Sequence, residues 1–156
     1  MRVIGIDPGK NGGIAVIGQS GRVTTYCLAR MTPLEVFEAL NSEGPAVAVM
    51  EKVHSSPQMG VRSAFSFGES YGSLRMAAIA AKCRVVTVVP RQWQATLGLK
   101  SVGAKMGSVE NKRRNKALAQ ELYPGVRVTH AIADALLLAE YGLRVERRAS
   151  RVDIVG

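Results

Sequence analysis

Acid is scarce in this chain relative to base. Its 156 residues hold 21 lysines and arginines against 12 acids, and only three of those acids, Asp7, Asp134 and Asp153, are aspartates. A formal net charge of +9 makes an anionic polymer the expected partner. Cysteine is sparser still, at two residues. Cys27 and Cys83 sit among apolar neighbours at no metal-ligand spacing, which excludes a disulfide framework and a zinc site, and points to reduced thiols in a cytoplasmic protein. No apolar run nears the roughly 20 residues of a membrane span. The first apolar segment carries charge too early for a secretory signal. There is no internal repeat and no linker. One domain over 1–148 is expected, with 149–156 as a mobile basic tail.

With 47% apolar residues the chain can bury a core. "RVIGID" at 2–7 is too short for a helix and reads as a buried strand ending on Asp7. After the turn residues "PGKNGG", "IAVIG" and "RVTTYCLA" complete a three-stranded meander. "TPLEVFEAL" opens a helix, with Thr32 as cap, Pro33 in the first turn and Glu35 closing a capping box. "PAVAVME" is a fourth strand ending on Glu51. Helical spacing covers about 62–82, "RVVTVV" is a fifth strand, and two further helices are expected at about 109–123 and 130–147. The order βββαβαβαα defines an α/β fold: a five-stranded mixed sheet with helices on both faces.

Asp7, Glu51 and Asp134 stand inside or directly after apolar elements, where acids are least expected. A helical crossover at 32–43 makes the first and fourth strands parallel neighbours, so their acid-bearing ends lie side by side. The last helix, packed across that edge, adds Asp134, and His130 shares its helix face. Three clustered carboxylates stay ionised only with a cation among them, and oxygen ligation favours Mg²⁺ or Mn²⁺ over zinc. As a ligand, His130 would shift the preference toward Mn²⁺; the alternative is an ordinary helix-start histidine. Between Arg91 and Lys116 lie seven basic residues and one acid, Glu110. Arg91, Lys100, Lys105, Lys112, Arg113 and Lys116 are therefore expected to contact phosphates. A second cluster, Arg144, Arg147, Arg148 and Arg151, closes the chain.

"IGIDPG", "VMEKV" and "ADALLLAEYG" resemble the RuvC-type Holliday-junction resolvases of the retroviral-integrase and RNase H-like superfamily. "SFGESYG" and "VVPRQWQATLGLK" are more similar to the phage-borne branch than to the chromosomal bacterial one. The resemblance runs from residue 2 to about 145. It implies an RNase H-like fold and a homodimer that cuts four-way DNA junctions in the cytoplasm of a bacterium or phage-infected host. Paired, metal-dependent phosphodiester hydrolysis would leave 5′ phosphates. Two Mg²⁺ or Mn²⁺ ions are implied per site, with Asp7 bridging both, Glu51 on one, Asp134 on the other and His130 as a fourth ligand. His130 precedes Asp134 by four residues, where bacterial members commonly have three.

Lys112 matches the family's lysine near the scissile phosphate. Gln94 stands about where bacterial members carry another lysine, a role left to Lys100 or Lys105. His54 holds the position of an aromatic that stacks at the junction, with Phe65 or Phe67 as substitutes. The helix at 62–82, with Gly68 and Gly72, is the candidate dimer face; plain core packing is its alternative. The competing functions are an RNase H-like nuclease acting on RNA or other branched DNA, a non-catalytic junction binder, and an actin-like ATPase, which needs roughly twice this length.

Overall fold

The computed structural model describes residues 1–42, 44, 46–52, 59–99 and 108–152. Strands β1 (Arg2–Asp7), β2 (Gly13–Ile17) and β3 (Val23–Cys27) form the expected antiparallel meander. Helix α1 (Pro33–Asn41) crosses back to β4 (Ala46–Glu51), which pairs parallel with β1, and α2 (Val61–Ala80) leads to β5 (Arg84–Val88), parallel to β4. The sheet order is β3-β2-β1-β4-β5. Helices α3 (Pro90–Thr96), α4 (Ser108–Leu122) and α5 (His130–Val152) follow.

β1 and β4 are nearly continuous apolar runs because helices cover both of their faces. Val3, Val47 and Val49 pack into one core with Trp93 of α3 and with Leu136, Leu137 and Leu138 of α5. Ile4, Ile6, Ala48 and Met50 pack into a second core with Val36 and Leu40 of α1 and Leu74 of α2. The two-residue period of a strand sends successive side chains to opposite cores. Asp7 and Glu51 share the parity of Val3 and Val49, so they emerge on the α5 side.

Local signals explain most element ends. Thr32 Oγ1 accepts from the Glu35 backbone N–H at 3.3 Å, and the Thr32 backbone N–H donates to Glu35 Oε2 at 2.7 Å, so the capping box forms. At the other end of α1 the buried Arg2 guanidinium donates to Leu40 O at 2.6 Å and to Ala39 O at 3.2 Å, satisfying carbonyls the helix leaves open. α2 stops two residues before its expected end because Lys82 takes φ 58°, a left-handed residue that breaks the helix.

Two expectations need correcting. A short helix, α3, stands where only a connection was read, making the order βββαβαβααα. Helix α5 runs to Val152, past the end expected at about 147.

Helix α5 lies hard against β1 and β2, and glycine allows it. A Cβ on Gly5 would stand 1.9 Å from the carbonyl oxygen of Ala135, and one on Gly13 would stand 2.5 Å from that of Ala131. Helix backbone thus rests on strand backbone at the end of the sheet where Asp7 emerges.

Candidate active site

The β1–β4 register pairs Ile6 with Met50, so the next residues along, Asp7 and Glu51, sit abreast at the carboxyl ends of two parallel strands. Asp134 is one helical turn into α5, over that edge. All three are half-buried. The three carboxyls interact electrostatically. Burial, then the charges of Asp134 and Glu51, push the Asp7 carboxyl up to about 8, while Lys112 opposes the shift. Burial raises Glu51 as well, offset by a hydrogen bond from Trp93 and augmented by Asp134. Asp134 is raised by burial and eased by a hydrogen bond from Asn115 and by the charges of Lys112 and His130. Each acid is thus penalised by burial for being ionised, and the charge of Asp134 adds to the penalty on Asp7 and Glu51.

Two side chains that the sequence did not single out hold the flanking acids. Trp93 Nε1 donates to Glu51 Oε2 at 3.0 Å, and Asn115 Nδ2 donates to Asp134 Oδ1 at 2.8 Å. Trp93 is fully buried, and Asn115 is 3% exposed. α3 is pinned against α5 by Gln92 Nε2 donating to Tyr141 Oη at 3.1 Å, which fixes Trp93 beneath Glu51. Asn115 lies one turn past Lys112 on α4, so that helix presents both the cation and the amide to the acids.

Lys112 is exposed, and its charge acts on both Asp7 and Asp134. His130 is the exposed first residue of α5, and its charge acts on Asp134. Arg91 is exposed on α3. Arg113 is exposed and Lys116 half-buried on α4, and Phe65 is 74% exposed on α2. Lys100, Lys105 and His54 lie outside the described residues.

As the side chains stand, no group of three or more His, Cys, Asp and Glu among the described residues closes around a single point as a chelate. The donor chemistry nevertheless fits a hard divalent cation: hard oxygen donors that repel one another and lose solvation favour a positive ion between them.

The fold is that of the RuvC-type Holliday-junction resolvases. A structure of Thermus thermophilus RuvC matches with a TM-score of 0.63 and 21% identity, over 96% of this chain and 97% of that one. A second, of T. thermophilus RuvC in complex with a Holliday junction substrate, matches with a TM-score of 0.63 and 19% identity, over 93% and 96% of the two chains. The yeast mitochondrial Holliday junction resolvase Ydc2 is more distant, at a TM-score of 0.45 and 14% identity over 89% of this chain and 76% of that one. No family model and no curated protein matches the chain in sequence.

Proposed function

We propose that the protein is a metal-dependent DNA endonuclease that resolves four-way junctions. The observation carrying this reading is the coupling of Asp7, Glu51 and Asp134 at one pole of a RuvC-type fold, with Lys112 acting on two of the three. Asp7, Glu51 and Asp134, joined by His130, would hold Mg²⁺ or Mn²⁺. Such ions supply an acidified water and offset charge on the leaving oxygen in phosphodiester hydrolysis. The protein's own part is to gather the acids, keep them partly dry and bring cationic side chains to the phosphate. Lys112 stands where it offsets charge next to the acids, and Arg91, Arg113 and Lys116 supply phosphate contacts that carry no sequence information.

A junction has two equivalent strands to cut, so a two-fold homodimer fits the substrate. Helix α2 supports it. Val61, Phe65, Met76 and Ile79 are exposed apolar residues, and with Gly68 and Gly72 they recur every three or four positions along one stripe. A Cβ on either glycine would meet nothing within 4 Å, so a partner helix has room to approach. Sedimentation of the wild type as a dimer, and of a Met76→Glu/Ile79→Glu form as a monomer, is the expected result; a monomeric wild type at micromolar concentration removes this part of the reading.

The deciding experiment incubates the protein with a labelled synthetic four-way junction and a matched linear duplex, in Mn²⁺, Mg²⁺ or EDTA, beside Asp7→Asn. Paired nicks in the junction alone, dependent on metal and reduced by about a thousandfold or more in the variant, are expected. Cleavage of RNA or of linear duplex instead would make the protein a nuclease of another substrate class. Tight binding with no cleavage in either ion would leave a junction binder.

A further inference from the structure

Burial in a fold usually neutralises a carboxylate by giving it a cation. Glu140 on α5 is held that way, accepting from Arg144 Nε at 2.6 Å and from Tyr123 Oη at 2.6 Å. Glu51 and Asp134 are held differently. Their hydrogen-bond donors are an indole N–H and a carboxamide N–H, both uncharged. A neutral donor fixes an oxygen in place and favours the ionised form, yet leaves the full negative charge available.

We infer that Trp93 and Asn115 are positioning residues for the cation site: each clamps one oxygen of a flanking carboxylate with a neutral N–H and leaves the other oxygen and the charge for the ion. This rests on the proposed function and names how this chain builds that site. Three features support it. Both clamps are buried, so neither is a solvent-averaged contact. Among the described residues Asn115 Oδ1 is buried with no hydrogen-bond partner, so the amide forgoes one of its own bonds while serving Asp134. Asp7, the third acid, accepts no side-chain hydrogen bond among the described residues. The two clamps come from α3 and α4, separate elements that reach Glu51 and Asp134 independently.

Trp93 is the only tryptophan in the chain, which gives an unusually clean test. Growth in a tryptophan auxotroph fed β-(3-benzothienyl)alanine replaces that one indole by a bicyclic ring of the same shape without the N–H. Asn115→Leu removes the other clamp at similar volume, and Asn115→Ser keeps a short neutral donor. Free Mn²⁺, measured by electron paramagnetic resonance without DNA, gives the dissociation constant. Each lost clamp should weaken Mn²⁺ binding by about tenfold. Asn115→Ser should recover part of that loss. Junction binding in EDTA should stay within about twofold, and saturating Mn²⁺ should restore most of kcat. Unaltered Mn²⁺ affinity in both the benzothienyl protein and Asn115→Leu overturns the inference while leaving the nuclease reading intact. A wild type that binds no Mn²⁺ overturns both. Should Asn115→Leu fail to fold, the benzothienyl protein alone decides, because its packing is conserved.

Discussion

Asp134 and Glu140 are six residues apart on the same helix, both half-buried, and the protein treats them in opposite ways. Glu140 lies toward the far pole, between the hydroxyl of Tyr123 and the guanidinium of Arg144, its charge matched in place. Burial, followed by the hydrogen bond to Glu140, raises the Tyr123 hydroxyl well beyond its ordinary range, so that network stays locked at any physiological pH. Asp134 has an amide for a partner and two other acids as neighbours. One acid serves the fold; the other is held by the fold with its charge only partly offset, by Asn115, Lys112 and His130. A residue's role here is read from how it is compensated rather than from how deeply it lies.

The contrast depends on α5 resting on β1, so the largest effect comes from lifting it. In Gly5→Ala the new Cβ meets helix backbone, which has no rotamer to retreat into. The cost should be about 3 kcal/mol or more. The same displacement should uncouple Asp134 from Asp7 and reduce junction cleavage beyond what the stability loss explains. Denaturant melts and cleavage rates at a temperature where the variant remains folded check both parts.

The next effects differ in sign. In metal-free protein, Asp134→Asn removes a charge that burial disfavours and that pushes up the carboxyls of Asp7 and Glu51, and should raise stability by about 2 kcal/mol, roughly 4–8 °C in Tm for a domain of this size, while abolishing cleavage. Glu140→Gln removes a charge that Arg144 and Tyr123 are arranged to meet, and should lower stability by about 2 kcal/mol while leaving the cleavage rate nearly unchanged. Melting curves with both changes in the same direction would erase the distinction between the two acids.

The pH dependence follows from Asp7. Its carboxyl is raised from 3.8 to about 8, so between those values the folded protein holds a proton that the unfolded chain has released. Stability of the metal-free protein should therefore decline as pH rises from about 4 to about 8. Asp7→Asn should flatten that slope, and Mn²⁺ should stabilise the wild type more at pH 8 than at pH 5.

How much of this was legible beforehand also follows from compensation. An acid closing an apolar run is conspicuous, so Asp7, Glu51 and Asp134 stood out, and the capping box at Thr32 and Glu35 fixed the crossover that sets their strands parallel. Trp93 and Asn115 did not stand out. α3 is seven residues long, too short for an amphipathic period to show, and its tryptophan reads as core, which it also is. Asn115 sits in a helix so rich in charge that each polar residue looks solvated, and only the packing of α4 on α5 buries this one. Arg151 fell in the stretch expected as a tail, beyond a helix end read at about 147, though α5 carries it through Val152. A sequence displays the charge that needs a partner far better than the neutral group that supplies one.

Adjacent residues on α4 give the finest version of the comparison. Lys112 acts on Asp7 and Asp134, and Lys112→Gln should slow cleavage by roughly 10- to 100-fold with little change in junction affinity. Arg113, next to it, is exposed and among the described residues pairs with Glu110 at 3.8 Å, a surface contact of the kind that contributes little. Arg113→Gln should leave stability within about 0.5 kcal/mol and the saturated cleavage rate unchanged. Its effect should appear only in the salt dependence of junction binding, where losing one phosphate contact reduces the slope of log K against log salt by about 0.9. A cleavage defect in Arg113→Gln as large as that of Lys112→Gln would mean that proximity to the acids does not separate the two, and that α4 acts as a diffuse cationic surface.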